Sequence, residues 1–234
     1  MLYPNFTINK ENYNNILNPI EVFAQSQSQS LTISQPDNNT APPVVKSSKI
    51  INFNGVNYAD VLKSTYINLN NFTVSAWFNT NMNVIGRDIA FLINKGGFGT
   101  ERPGFNLNYG IWLNNREQIS VGFETLNGDD YFLTSKRSYA DGLWHNTIFT
   151  YDKTQNILNL YIDGIDTASN KKNIGITPDN SGKQPIRFGA NSFTDNGIIN
   201  GNYTGLLDDI QVWNYPFTKE QVNSLFDIES KMER

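Results

Sequence analysis

From Ile50 onward the chain is cut into short β-compatible runs by Asn-Gly, Asp-Gly and Gly-Gly pairs, about every ten residues, the spacing of an all-β domain. The runs are rich in β-branched and aromatic residues: "FTVSAWFNT" (72–80), "DIAFLIN" (88–94), "GFNLNYGIWL" (104–113), "QISVGFET" (118–125), "YFLTSK" (131–136), "WHNTIFTYD" (144–152), "ILNLYIDG" (157–164) and "IRFGAN" (186–191). In "LNLYIDG", Leu158, Leu160 and Ile162 alternate with Asn159, Tyr161 and Asp163, the period of a strand with one face in a core. So many short strands at this spacing imply an all-β, two-sheet antiparallel sandwich.

The stretch before this pattern has a different composition. Residues 1–48 contain "QSQSQS" and "SQPDNNTAPPVVKSS", with few large apolar side chains, and read as an extended polar arm or linker. Within it, "SQSLTIS" (28–34) is β-compatible and a candidate for pairing with an exposed sheet edge; a plain tether is the alternative. Residues 49–234 form the folded domain. It closes on one short helix in "FTKEQVNSLFDIESKMER", with Thr218 as N-cap, Gln221 as its capping-box partner, and Val222, Leu225 and Phe226 on one face.

Charge narrows the range of partners. The net charge is −4 and the pI about 5.0, and the adjacent basic pairs are Lys136-Arg137 and Lys171-Lys172, so no nucleic-acid partner is expected. Solubility comes from amides, with 35 asparagines against 17% charged residues. There is no cysteine, no apolar run long enough for a membrane span, and no recognisable signal peptide.

Five stretches, in order, resemble the laminin G-like, concanavalin A-like jelly rolls of the lectin-glucanase superfamily over roughly residues 50–230. They are "INFNGVNY", "FTVSAWFNT", "DGLWHNTIFTYD", "ILNLYIDG" and "YTGLLDDIQVWNYPFTKEQV". The last poses a physical question, because Asp208 and Asp209 stand side by side in a half-buried strand and an unpaired buried carboxylate is costly. The resemblance implies a structural Ca2+ held by Asp208 with backbone carbonyls of Asn54 and Gly55, and with Asp209 facing the opposite way. Asn54 and Asn57 stand where acidic residues are common in the family, which weakens such a site; the alternative is a metal-free Asp208 that caps turn amides.

The same superfamily includes glycoside hydrolases and polysaccharide lyases. Retaining hydrolysis needs two carboxylates about 5 to 5.5 Å apart, commonly from a Glu-x-Asp-x-Glu strand, and no such run exists here. His145, the only histidine, follows Trp144 in a strand and reads as a packing residue. Glycan recognition instead needs an aromatic ring for a sugar's apolar face and polar groups for its hydroxyls. The loop "NKGGFGTERPGFNLNYG" (94–110) supplies Phe98, Glu101, Arg102, Asn106, Asn108 and Tyr109, and "GANSFTDNGIINGNYTG" (189–205) supplies Asn191, Phe193, Asp195 and Asn196. Trp112 could face either way.

The leading expectation is a non-catalytic, lectin-like domain at an extracellular or particle surface, binding a glycan or a protein. Its alternative is a structural assembly subunit, a virion or surface-filament component, that forms homo-oligomers through residues 1–48. A carbohydrate-active enzyme comes third.

Overall fold

The computed structural model describes residues 43, 45–47, 49–61, 64, 67–84, 89–98, 102–171, 175–192 and 200–234, with the backbone of 6–7, 20–21 and 23–24. The segment 28–34 lies outside the described residues. Two antiparallel sheets pack face to face. One has six strands, in the order β11 (Asp130–Ser138), β10 (Gln118–Glu124), β9 (Tyr109–Asn114), β8 (Ile89–Lys95), β15 (Ile186–Phe188) and β6 (Ala59–Val61). The other has eight: β14 (Ile165–Lys171), β13 (Ile157–Ile162), β12 (Trp144–Asp152), β7 (Phe72–Asn79), β16 (Thr204–Trp213), β4 (Val45–Ser47) and β2 (Ile20–Glu21), with β5 (Ile51–Asn54) pairing β16 beside β4. A separate pair joins β1 (Phe6–Thr7) to β3 (Phe23–Ala24). This is the expected two-sheet sandwich.

The core follows the alternation read from the sequence. Leu158, Leu160 and Ile162 are buried in it, and the Phe72 ring lies 5.5 Å from Phe149, 5.6 Å from Tyr109 and 5.8 Å from Tyr151. The sandwich begins ahead of the boundary expected after residue 48. Val45 is fully buried and Val45–Ser47 pairs with Ile210–Val212, so this stretch belongs to the sheet. Among the described residues of the arm, Ile20–Glu21 joins the edge, running parallel to Val45–Lys46.

The helix α1 (Lys219–Glu229) has the capping box expected of Thr218 and Gln221, each side chain satisfying the other's backbone N–H. It lies on the outer face of the eight-stranded sheet, where Val222 and Leu225 pack with Ile148, Tyr161, Trp213 and Phe217. That cover explains why β7 is buried on both faces. The β13–β14 turn has positive φ at Asp163 (53°) and Gly164 (72°), as a two-residue hairpin requires. A Cβ at Gly164 would stand 2.7 Å from the Phe226 ring, so the glycine also lets the helix approach.

Candidate functional site

The connection from β8 to β9 doubles back over its own sheet. Gly97 N–H donates to the Phe105 carbonyl (2.6 Å) and Asn108 N–H to that of Lys95 (2.8 Å), while a Cβ at Gly96 would meet the Asn106 carbonyl at 2.1 Å. Leu107 and Phe98 therefore land on the solvent side of the six-stranded sheet, against Phe91, Trp112 and Phe132. The Phe98 ring stacks on Phe132 at 5.6 Å and 21°, and meets Trp112 edge-on at 5.4 Å. Trp112 is 3% exposed, whereas Phe98 and Phe132 are half-buried, so two rings of one rigid cluster reach solvent. Beside them Asp130, Thr134 and Lys136 are exposed, being the alternate residues of β11 that share the face of Phe132. The Thr134 hydroxyl bonds that of Ser120 at 2.9 Å.

The residues expected at the rim are distributed unevenly around this shelf. Phe98 is part of it, and Arg102 is exposed with its guanidinium 4.3 Å over the Phe105 ring. Four others turn inward. Asn106 accepts from Arg102 N–H (2.7 Å) and donates to the carbonyls of Thr125 (3.1 Å) and Leu126 (3.3 Å). Asn108 grips the backbone of Leu69 through both ends of its amide, and Asn191 is 4% exposed and donates to Asn200. Tyr109 is fully buried; burial raises its phenol pKa and its ring belongs to the core. These amides hold loops to strands, and none of the four presents a ring or amide to a rim ligand. Glu101, Phe193, Asp195 and Asn196 lie outside the described residues. The alternation of "DYFLTSK" places Phe132, Thr134 and Lys136 together on one face of β11.

The outer face of the other sheet answers the question of the paired carboxylates. Asp208 opposes Trp77 and Gln211 opposes Ser75, so Asp209 and Ile210 together face Ala76: a β-bulge, with Asp209 at φ 44°. The extra residue resets the alternation, so Leu207, Ile210 and Val212 all enter the core. Asp209 consequently does not face away from Asp208. Both turn outward, to Arg234, whose Nη2 donates to Asp209 at 2.7 Å and whose Nε lies 3.6 Å from Asp208. The same guanidinium lies 3.7 Å over the Trp77 ring and donates to the Glu229 carbonyl at 2.7 Å. Glu229 is itself buried, accepting from Trp77 Nε1 (2.7 Å) and from the Gln211 amide. Burial and the neighbouring Asp209 push Asp208 up to about 6, and burial with the same neighbour pushes Glu229 up to about 8.

The donors expected for calcium are not brought together. Asn54 pairs with Thr204, four residues along β16 from Asp208, or roughly 13 Å at the rise of a strand. The Asn54 side chain accepts from Val56 and Asn57 N–H within its own turn, and Asp208 has a cation beside it already. Among the described residues no cluster of three His, Cys, Asp or Glu side chains is arranged to hold a metal ion. The described residues do not fit the metal.

His145 is 6% exposed and held between two carboxylates, Nδ1 2.8 Å from Asp163 and Nε2 3.1 Å from Asp141. Burial lowers its pKa, but hydrogen bonds and charge from Asp163 and Asp141 outweigh that and raise it overall. Arg187 is similarly locked, bidentate to Asp60 (2.6 and 2.9 Å) and 4.0 Å over the Tyr58 ring.

The two antiparallel sheets, with a helix on one outer face and an aromatic shelf on the other, form a concanavalin A-like sandwich. The chain belongs to the concanavalin A-like lectin/glucanases superfamily, whose family model matches residues 53–223. Among solved structures it is similar to the CBM40 of the Ruminococcus gnavus IT-sialidase bound to α2,3-sialyllactose (TM-score 0.62, 15% identity, 79% of this chain and 98% of that one). It is also similar to part of the NanB sialidase from Streptococcus pneumoniae (TM-score 0.62, 17% identity, 78% of this chain and 28% of that one). A heptameric SAP-like pentraxin from Limulus polyphemus is a further match (TM-score 0.52, 13% identity, 74% of this chain and 79% of that one). At these identities the likeness is one of fold. No functionally curated protein matches the chain in sequence.

Proposed function

We propose that the protein is a non-catalytic glycan-binding module, displayed at an extracellular or particle surface, whose contact surface is the shelf of Phe98 and Phe132 with the exposed row Asp130, Thr134 and Lys136. The observation that carries this reading is the stacked, half-buried ring pair seated on Trp112. Rings held by packing present flat apolar area without losing side-chain freedom on binding, and polar groups beside them reach hydroxyls. The reading is supported by the carbohydrate-binding module among the similar structures. It is further supported by His145, whose two ring nitrogens are tied to aspartates rather than to a hydroxyl that they could activate. A glycan array with wild-type protein, followed by titration calorimetry with Phe98→Ala and Phe132→Ala, tests it. Each variant should weaken binding at least about tenfold, the effect of losing one stacking ring. Unchanged affinity in the double variant, with its fold verified by circular dichroism, sinks the proposal.

A second reading, an assembly subunit, is favoured by one observation: the arm adds Ile20–Glu21 to the sheet edge at Val45–Lys46. The same edge on a neighbour could receive it. Light scattering on the full chain and on a version beginning at residue 43, which retains the core strand at Val45, separates exchange between chains from closure within one.

A further inference from the structure

The patch beneath α1 holds more acid than base. Asp208 (8% exposed) and Asp209 (5%) share the guanidinium of Arg234, whose side chain is 5% exposed, and Glu229 (3%), whose backbone carbonyl accepts from the same guanidinium, lies beside them. With all four ionised, a buried patch would carry two uncompensated negative charges, which a protein interior does not tolerate. Arg234 is engaged chiefly with Asp209 at 2.7 Å, and its Nε has no hydrogen-bond partner among the described residues. Glu229 is left with the neutral donors Trp77 and Gln211, and it sits in the last turn of α1, where the helix dipole already disfavours negative charge.

We propose that α1 is a proton-operated latch: it docks on the eight-stranded sheet with a proton held by Glu229 or Asp208, and undocks as that proton is lost. The groups facing Glu229 are Asp208, Asp209 and Gln211 from β16, Trp77 from β7, and Arg234 after the helix. Tyr161 and Glu220 interact at the other end of the helix. Undocking separates Phe226 from Trp77, now stacked at 5.8 Å and 12°, and uncovers Ile148, Tyr161 and Trp213 as an apolar face.

The direction follows from linkage. A carboxyl whose docked pKa lies above its free value favours docking fully below the free value, and loses that contribution as pH rises to the docked value. For Glu229 the window runs from 4.5 to about 8, and for Asp208 from 3.8 to about 6. Between pH 6 and pH 8 one proton is at issue, so the docking equilibrium should fall by about tenfold per pH unit and then level off.

Native-state hydrogen exchange on the full chain tests this, with the α1 amides referenced to those of β12 and β13 at each pH to remove intrinsic base catalysis. In the wild type the ratio of protection should fall by about tenfold per unit from pH 6 to pH 8. Glu229→Gln, which stays neutral, should remove the slope. A wild-type ratio independent of pH overturns the latch, as does an unchanged slope in the variant. Should Glu229→Gln fail to fold, the wild-type profile decides alone.

Discussion

The two outer faces of the sandwich are both covered, and by opposite chemistry. Over the six-stranded sheet lie Leu107 and Phe98 on Trp112, Phe91 and Phe132, a neutral cluster closed by a loop from the same sheet. Over the eight-stranded sheet lies a helix that brings its own carboxylate and is followed by an arginine, arriving from the far end of the chain. A neutral cover is indifferent to pH and can leave rings at its margin for a ligand. A charged cover binds its surface only with the right number of protons, so it is suited to opening and poorly suited to serve as a fixed platform.

The hardest test of that contrast is Trp112→Ala, which empties the centre of the neutral face. Deleting a buried indole should lower global stability by about 3–5 kcal/mol, equally at pH 5 and pH 8, because no charge is involved. Urea unfolding at the two pH values measures it. A loss that differs strongly between them would show that the face has an ionic component absent from the geometry.

Arg234→Ala, on the other face, should cost about 3 kcal/mol at neutral pH, the lower end for removing one partner of a buried ion pair. Here the loss should shrink at pH 5, where Asp208, with a value near 6, and Glu229, near 8, are largely protonated and need the cation less. The same pair of urea curves should be repeated with added calcium. Arg234 already occupies the place of a cation beside Asp208, so the wild-type urea midpoint should not move; a clear rise in that midpoint would return the strand to a metal role.

Much of the scaffold could be read directly from the residues. "ILNLYI" alternates without interruption and became a strand with Leu158 and Leu160 inside, and the spacing of Thr218 to Gln221 marked the helix start. The site was harder to read because an asparagine amide has the same chemistry whether it bonds a sugar or the backbone of Leu69. Asn106, Asn108 and Asn191 therefore looked like binding residues and serve as loop ties. Tyr109 was decidable: it shares parity with Ile111 and Leu113, which are core, while Trp112 takes the opposite face. The bulge also left a trace, since Leu207 and Ile210 are three apart where strict alternation allows two. What no local pattern could show was Arg234, because its partnership with Asp209 depends on how the helix lands.

The smallest predicted effect lies at His145, where charge is paired rather than crowded. Only the imidazolium can donate from both ring nitrogens, so the charged form satisfies Asp163 and Asp141 together. Its pKa is accordingly raised above 6.5 in the folded protein despite the burial that opposes this. The stability from the clamp is complete below pH 6.5, the unfolded value, and is lost as pH rises through the higher folded value. Because Asp141 is 40% exposed and Asp163 29%, solvent screens the pair and the contribution should be about 1 kcal/mol. In His145→Gln the stability should therefore fall by that amount at pH 5.5 and by much less at pH 9, measured as the difference in urea midpoint from wild type. A deficit that grew towards alkaline pH would mean that the neutral ring is the form this sandwich holds.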